Sequence, residues 1–225
     1  MANQKHTQDP LDLDEAMSAS EAFIIKYKNK FLIGIAAIVI VVAGFIGYKN
    51  FISEPNEIKA SEALFKAEQY FGAGNYEAAL NGDSLGATGF LTVAKNFSGT
   101  NAGELANAYA GICYAQLGQY ENAVKYLDKF SAEDQLVSPA LMGTMGNCYI
   151  QLGQLDKGAA TLMKAADKAN SHSLSPIYLI QAGQVYEKLG KKSEALKAYQ
   201  TVKDKYFNSY QSMEIDKYIE RASVK

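Results

Sequence analysis

The sequence predicts an all-α chain. One membrane-crossing helix lies near the N-terminus, followed by an α-solenoid of about four helical hairpins and a C-terminal capping helix. Three observations predict this. Residues 31–48 contain no charge. Beyond them, a pattern of small residue, Tyr, Gly and small residue occurs four times. Between these points apolar residues return at helical spacing, as at Leu162, Ala165 and Ala166, or Ala195, Leu196 and Tyr199.

The uncharged stretch reads FLIGIAAIVIVVAGFIGY. As a helix at about 1.5 Å per residue it is roughly 27 Å long, close to the hydrocarbon thickness of a bilayer. Tyr27 and Tyr48 stand at its ends, where amphipathic rings favour the interface. The stretch is apolar on every face, which a half-buried core helix is not. The 30 residues before it are long for a cleaved signal, and no small-x-small cleavage site follows. The expectation is an uncleaved signal anchor spanning 23–50. Lys26, Lys28 and Lys30 precede it and Lys49 alone follows closely, so the positive side keeps the N-terminus cytoplasmic. A cytoplasmic tail, 1–22, is acidic (Asp9, Asp12, Asp14, Glu15, Glu21) and reads as solvated, with Leu11, Leu13 and Met17 offering one short amphipathic turn. Residues 51–225 form the domain across the membrane.

The four copies of the template are Ala67, Tyr70, Gly74, Ala79; Gly111, Tyr114, Gly118, Ala123; Gly146, Tyr149, Gly153, Gly158; and Gly183, Tyr186, Gly190, Ala195. Gly118 and Gly153 are 35 residues apart, Gly153 and Gly190 are 37 apart, and Gly74 and Gly118 are 44 apart, so the first copy contains an insertion. Small residues let neighbouring backbones approach, Tyr fills the space within a hairpin, and Gly ends the first helix in a left-handed conformation. The repeat-packing residues are therefore Gly111, Tyr114, Ala123, Gly146, Tyr149, Gly158, Gly183, Tyr186 and Ala195. Helices are predicted at 57–73 with a short partner, 102–117 with 120–130, 138–152 with 155–169, and 176–189 with 192–206. A last helix near 210–222 covers the apolar end that every solenoid exposes. Ser138-Pro139 and Ser175-Pro176 each read as an N-cap followed by Pro at the first helical position.

Composition narrows the function classes. Net charge is −2 and Arg221 is the single arginine, so no basic field exists to hold nucleic acid. His6 and His172 lie far apart, two cysteines cannot complete a four-ligand site, and no P-loop or EF-hand spacing occurs. No cofactor, metal or catalytic residue is expected. Cys113 and Cys148 fall at one template position in adjacent repeats, commonly about 10 Å apart and too far to bridge, so both are expected as buried free thiols.

The spacing and residues resemble the tetratricopeptide repeat family, whose unit is about 34 residues. The likeness covers roughly 57–206, with a degenerate first copy and without the usual early Trp. More narrowly, the acidic tail, single anchor and repeat domain resemble the YfgM-like family of ancillary SecYEG translocon subunits. Residues 75–100 (NYEAALNGDSLGATGFLTVAKNFSGT) and 214–222 (EIDKYIERA) are similar to its irregular first repeat and its ending. The resemblance implies a bacterial inner-membrane protein with a periplasmic repeat domain. It would bind proteins: SecYEG, secreted clients and a periplasmic chaperone. A structural scaffold for outer-membrane assembly or wall synthesis is the alternative.

Mapping the family's concave face onto this chain gives a candidate peptide groove of Leu105, Ala108, Ile112, Asn147, Ile150, Ile177, Ile180 and Gln184, with Ala115, Ala140, Gly143 and Glu187 beside them. Its largely apolar character suits an extended or helical apolar peptide. It does not suit a carboxylate clamp, because Gly143 stands where a lysine would be needed. Ile112, Ile150 and Ile180 have a second reading, as packing against the capping helix or the first repeat.

Overall fold

The computed structural model describes residues 13–224 apart from 85, 132 and 133, with side chains from residue 23 onward. The chain divides into two compact units at Glu54–Pro55. The described part of the first is helix α1 (Leu13–Tyr48), followed by a π-helical turn over Lys49–Ser53. The large apolar side chains of α1, Phe23 through Ile46, are exposed, and the helix is long and apolar enough to cross a membrane. The expectation of a tail with little stable structure is corrected in part. Helix begins at Leu13, because the stretch LDEAMSASEA consists mostly of good helix formers. His6, Asp9, Leu11 and Asp12 lie outside the described residues.

The second unit is helical, and the β-pairing among its described residues is an isolated Gly82–Thr88 bridge. Its helices are α2 (Glu54–Gly72), α3 (Tyr76–Asn81), α4 (Phe90–Asn96), α5 (Asn101–Gln116), α6 (Tyr120–Leu127), α7 (Val137–Gln151), α8 (Leu155–Ala169), α9 (Ser175–Lys188), α10 (Lys192–Lys205) and α11 (Ile215–Ser223). Successive pairs pack as hairpins: α5 with α6, α7 with α8, α9 with α10. Each pair stacks on the next, and α11, entered through a 3₁₀ turn at Tyr210–Glu214, packs on α10.

One turn closes every hairpin. Gly74, Gly118, Gly153 and Gly190 all take φ of 72–74°. The N–H after each glycine bonds to the carbonyl of the template tyrosine: Asn75 to Tyr70, Gln119 to Tyr114, Gln154 to Tyr149 and Lys191 to Tyr186, at 2.8–2.9 Å. The glycine N–H bonds one residue further on, as Gly118 to Ala115. This paired helix ending needs a left-handed residue, which glycine adopts without a Cβ penalty. The four-residue Tyr–Gly spacing is thus the spacing of the hydrogen-bond pair.

The other small residues sit where helices touch. A Cβ added to Gly111 would lie 2.6 Å from the side chain of Leu127, one on Gly146 2.9 Å from Leu162, one on Gly158 2.6 Å from Ile150, and one on Gly183 2.3 Å from Tyr199. Ala123 and Ala195 are fully buried. Tyr149 is buried with Lys157 over its ring at 4.1 Å, and the Tyr114 ring lies 5.4 Å from that of Tyr126. Tyr186 is half-buried against the core of the last repeats.

Three expectations need correction. The insertion splits the second helix of the first repeat into α3 and α4. Asp83 fixes the loop between them, accepting from Tyr70 Oη and Ala87 N, while Gly82 and Gly86 hold positive φ. The apolar run Phe90, Val93, Ala94, Phe97 is the helical signal for α4, which was not predicted. Neither Ser138 nor Ser175 is an N-cap. Helix α7 starts at Val137, and Asp134 caps it from outside by accepting from the N–H groups of Leu136, Val137 and Ser138. Burial opposes its ionisation, but these backbone donors outweigh it and hold the Asp134 carboxyl below its usual range. Ser175 is the first residue of α9, and its hydroxyl donates to Ala166 O at the end of α8 (2.7 Å). Finally, α6 ends at Leu127 rather than near 130.

Gly183→Ala is expected to destabilise the unit by about 1–3 kcal/mol, because Tyr199 is fully buried and has nowhere to move. Gly72→Ala, with open space around its Cβ position and a helical setting, is expected to be neutral or to stabilise by up to about 1 kcal/mol. Thermal unfolding of the two variants checks the pair; equal shifts would contradict it.

Candidate functional site

The first helices of the third and fourth repeats, α7 and α9, together with α11, enclose an open cleft of about 620 Å³. Helix α7 contributes Asn147 and Ile150, α9 contributes Gln181, Gln184, Val185, Glu187 and Lys188, and α11 contributes Arg221. Because Asn147 and Ile150 are three residues apart, and Gln181, Gln184, Val185 and Lys188 follow at three- and four-residue steps, each helix offers one face to the cleft.

Charge in the cleft is locked at one corner. Arg221 donates through Nε and a terminal nitrogen to the two carboxylate oxygens of Glu187, at 2.8 and 3.0 Å. Tyr199, from α10, donates its hydroxyl to the same carboxylate at 2.7 Å. Burial works against the Glu187 carboxylate, but the Arg221 guanidinium and the Tyr199 hydroxyl outweigh it and hold the carboxyl below its usual range. Burial first, then the neighbouring carboxylate, pushes the Tyr199 hydroxyl up. On one wall, Gln181 Oε1 is buried without a hydrogen-bond partner among the described residues. An unmatched buried acceptor costs free energy until a donor reaches it. The lining therefore combines three amides, two aliphatic side chains, a lysine and an ion pair.

Asn147, Ile150 and Gln184 of the predicted groove meet in this cleft. The remaining five do not. Ala108 is 2% exposed, packed with Leu127 and Leu141 in the contact between the second and third repeats, and is corrected from groove lining to inter-repeat core. Leu105 and Ile112 are half-buried against that cluster, and Gly143 lies under the Tyr178 ring. Ile180 packs partly into the core that includes Ile215 and Ala222 of the end cap, and Ile177 is exposed near the start of α9, away from the cleft. Gln181, Lys188 and Arg221 were not predicted as lining. The lone arginine was visible in the sequence, but its partner lies 34 residues away.

Among the described residues no cluster of His, Cys, Asp or Glu is arranged to hold a metal. Both cysteines are free and buried; burial pushes the Cys113 thiol up to about 12 and raises that of Cys148.

Three stretches match family models of the tetratricopeptide repeat: residues 109–134 and 178–209 match one, and residues 140–167 match another. The first repeat, with its split second helix, lies outside them. No curated protein matches the chain.

Two outcomes are expected here. Arg221→Ala should lower stability by about 1 kcal/mol near neutral pH, a figure kept small because the guanidinium is half exposed. With the folded carboxyl depressed, this contribution exists above the ordinary carboxylate value of about 4.3 and fades as pH falls through the folded value. Melting curves of both proteins from neutral to acid should converge; a constant gap would contradict the ion pair's role. Alkylation with iodoacetamide at about pH 8 should leave both cysteines unmodified until the chain is unfolded, and labelling of the native protein would contradict their burial.

Proposed function

Because the chain carries tetratricopeptide repeats, an interaction fold, we propose that it is a membrane-anchored protein-binding module. Residues 1–22 are its cytoplasmic tail, 23–50 its single-span anchor and 51–225 its periplasmic repeat domain. The observation that carries the reading is the pairing of one long helix, whose large apolar side chains from Phe23 onward are exposed, with a repeat unit whose open cleft presents Asn147, Gln181 and Gln184 beside Ile150 and Val185. Amides pair with the main chain of a bound segment and the aliphatic side chains accept its apolar residues. The lysine asymmetry around the anchor supports an inner-membrane orientation with the N-terminus inside. No catalytic role follows from the lining.

The finer reading is an accessory subunit of the Sec translocon that receives secreted chains and passes them to a periplasmic chaperone. Its support is the likeness of tail, anchor, first repeat and ending described above. A scaffold in outer-membrane assembly or wall synthesis is the competing assignment.

A photo-crosslinking residue placed at Gln184 of the full-length protein in native membranes separates them. Channel subunits or secreted chains in transit are the expected products, and their yield should fall when Asn147 and Gln181 are both replaced by Leu. Products confined to outer-membrane assembly or wall-synthesis proteins would favour the scaffold, and an absence of protein products at this position would contradict the cleft as a binding site.

A further inference from the structure

One edge of the repeat unit gathers the N-terminal ends of its first helices. Glu57 of α2 accepts from the N–H groups of Asn101 and Ala102, both at 2.8 Å, so α2 and α5 begin side by side. Ser131, in the link before α7, donates through its N–H and hydroxyl to Glu104 in the first turn of α5. The rings of His172, before α9, and Tyr206, after α10, lie 5.4 Å apart. The glycine turns occupy the opposite edge. The unit's own first residue, Pro55, stands in the first turn of α2, so the apolar segment before it is tethered at the edge of helix starts.

That edge is unusually apolar. The unit exposes nine large hydrophobic side chains among its described residues, and six are here: Leu136, Val137, Ile177, Phe207 (70% exposed), Tyr210 (81%) and Met213 (79%). Among its described carboxylates, Glu57 and Asp134 accept from helix N–H groups, Glu104 accepts from Ser131, and the exposed Glu214 and Asp216 pair with Lys217 and Lys203. The second helices reach this edge in Asp–Lys pairs, 128/129, 167/168 and 204/205, whose charges cancel. A surface with aromatic and aliphatic tips, an amphipathic Tyr and no field of one sign fits the zone between headgroups and acyl chains, where Tyr and Phe side chains insert without needing anionic lipid.

We propose that this edge of the repeat unit seats in the interfacial zone of the bilayer, with Phe207, Tyr210 and Met213 inserted among the lipids. The inference rests on the reading of α1 as a membrane anchor. Seating there restricts the unit's rotation about its tether and presents the turn edge away from the lipid.

The chain contains no tryptophan, so single substitutions supply unambiguous probes. Full-length protein is reconstituted into phosphatidylcholine vesicles with or without lipids brominated along their acyl chains. Phe207→Trp and Tyr210→Trp are expected to show blue-shifted emission that brominated lipid quenches. Phe45→Trp, inside α1, is quenched as well, and Tyr120→Trp, at the turn edge, is not. Quenching at 45 without quenching at 207 and 210 overturns the proposal while the anchor reading stands. Blue-shifted but unquenched emission at 207 and 210 places protein there instead, a second copy or a partner, and also overturns it. Equal quenching at 120 shows unspecific adsorption and overturns it. Unquenched emission at 45 removes the anchor reading and the proposal together.

Discussion

The repeat unit depends on backbone-to-side-chain contact at positions that have no Cβ. Leu127 rests against Gly111, Leu162 against Gly146, Ile150 against Gly158 and Tyr199 against Gly183. Protein interiors are packed to crystal-like density, so a single added methyl at such a point must displace a buried neighbour. The tyrosine and turn glycine of the template answer a separate demand. The tyrosine carbonyl accepts the last hydrogen bond of its helix, and the glycine supplies the left-handed residue that makes this bond possible. Close approach and helix ending together fix the geometry of each hairpin, and repetition of the hairpin builds the stack.

These two demands explain what the sequence made legible. Small residues and turn glycines recur because geometry recurs, so the helix pairs of the last three repeats could be placed within a few residues of their ends. The first repeat was harder. Its NGDSLGATG loop interrupts the second helix, and Asp83 binds groups on both sides of the loop, so no local period spans α3 and α4. The helix starts at Ser138 and Ser175 were misplaced for a related reason. Each serine has the right neighbour in Pro, but Asp134 takes over the capping of α7, and Ser175 turns back to the preceding helix. Local pattern names a candidate cap; only tertiary structure decides which side chain reaches the free N–H groups.

The cleft was legible in part. Asn147, Ile150 and Gln184 follow from helical periodicity once the concave face is assigned. Periodicity does not reveal which repeats lie open. Ala108 shares its face with Asn147 yet is sealed by Leu127 and Leu141, because the second and third repeats close upon each other there. Nor does it pair Arg221 with Glu187, residues brought together when the end cap folds over α9. That ion pair, buttressed by Tyr199, joins three helices at the cleft's corner, so the cap that shields the apolar end of the stack also shapes the proposed binding surface. Gln181 Oε1 beside it, unmatched among the described residues, can accept an N–H donated by an incoming main chain.

A double-mutant cycle on Gly146 and Leu162 probes the close-approach constraint directly. Gly146→Ala would bring its Cβ within 2.9 Å of the buried Leu162 side chain. Removing that side chain with Leu162→Ala opens the space, so Gly146→Ala should be much less costly in the Leu162→Ala protein than in the parent, with a coupling on the order of 1 kcal/mol in chemical denaturation. Strictly additive effects would show that the glycine does not serve to admit its neighbour, and would contradict the packing account on which the stack rests.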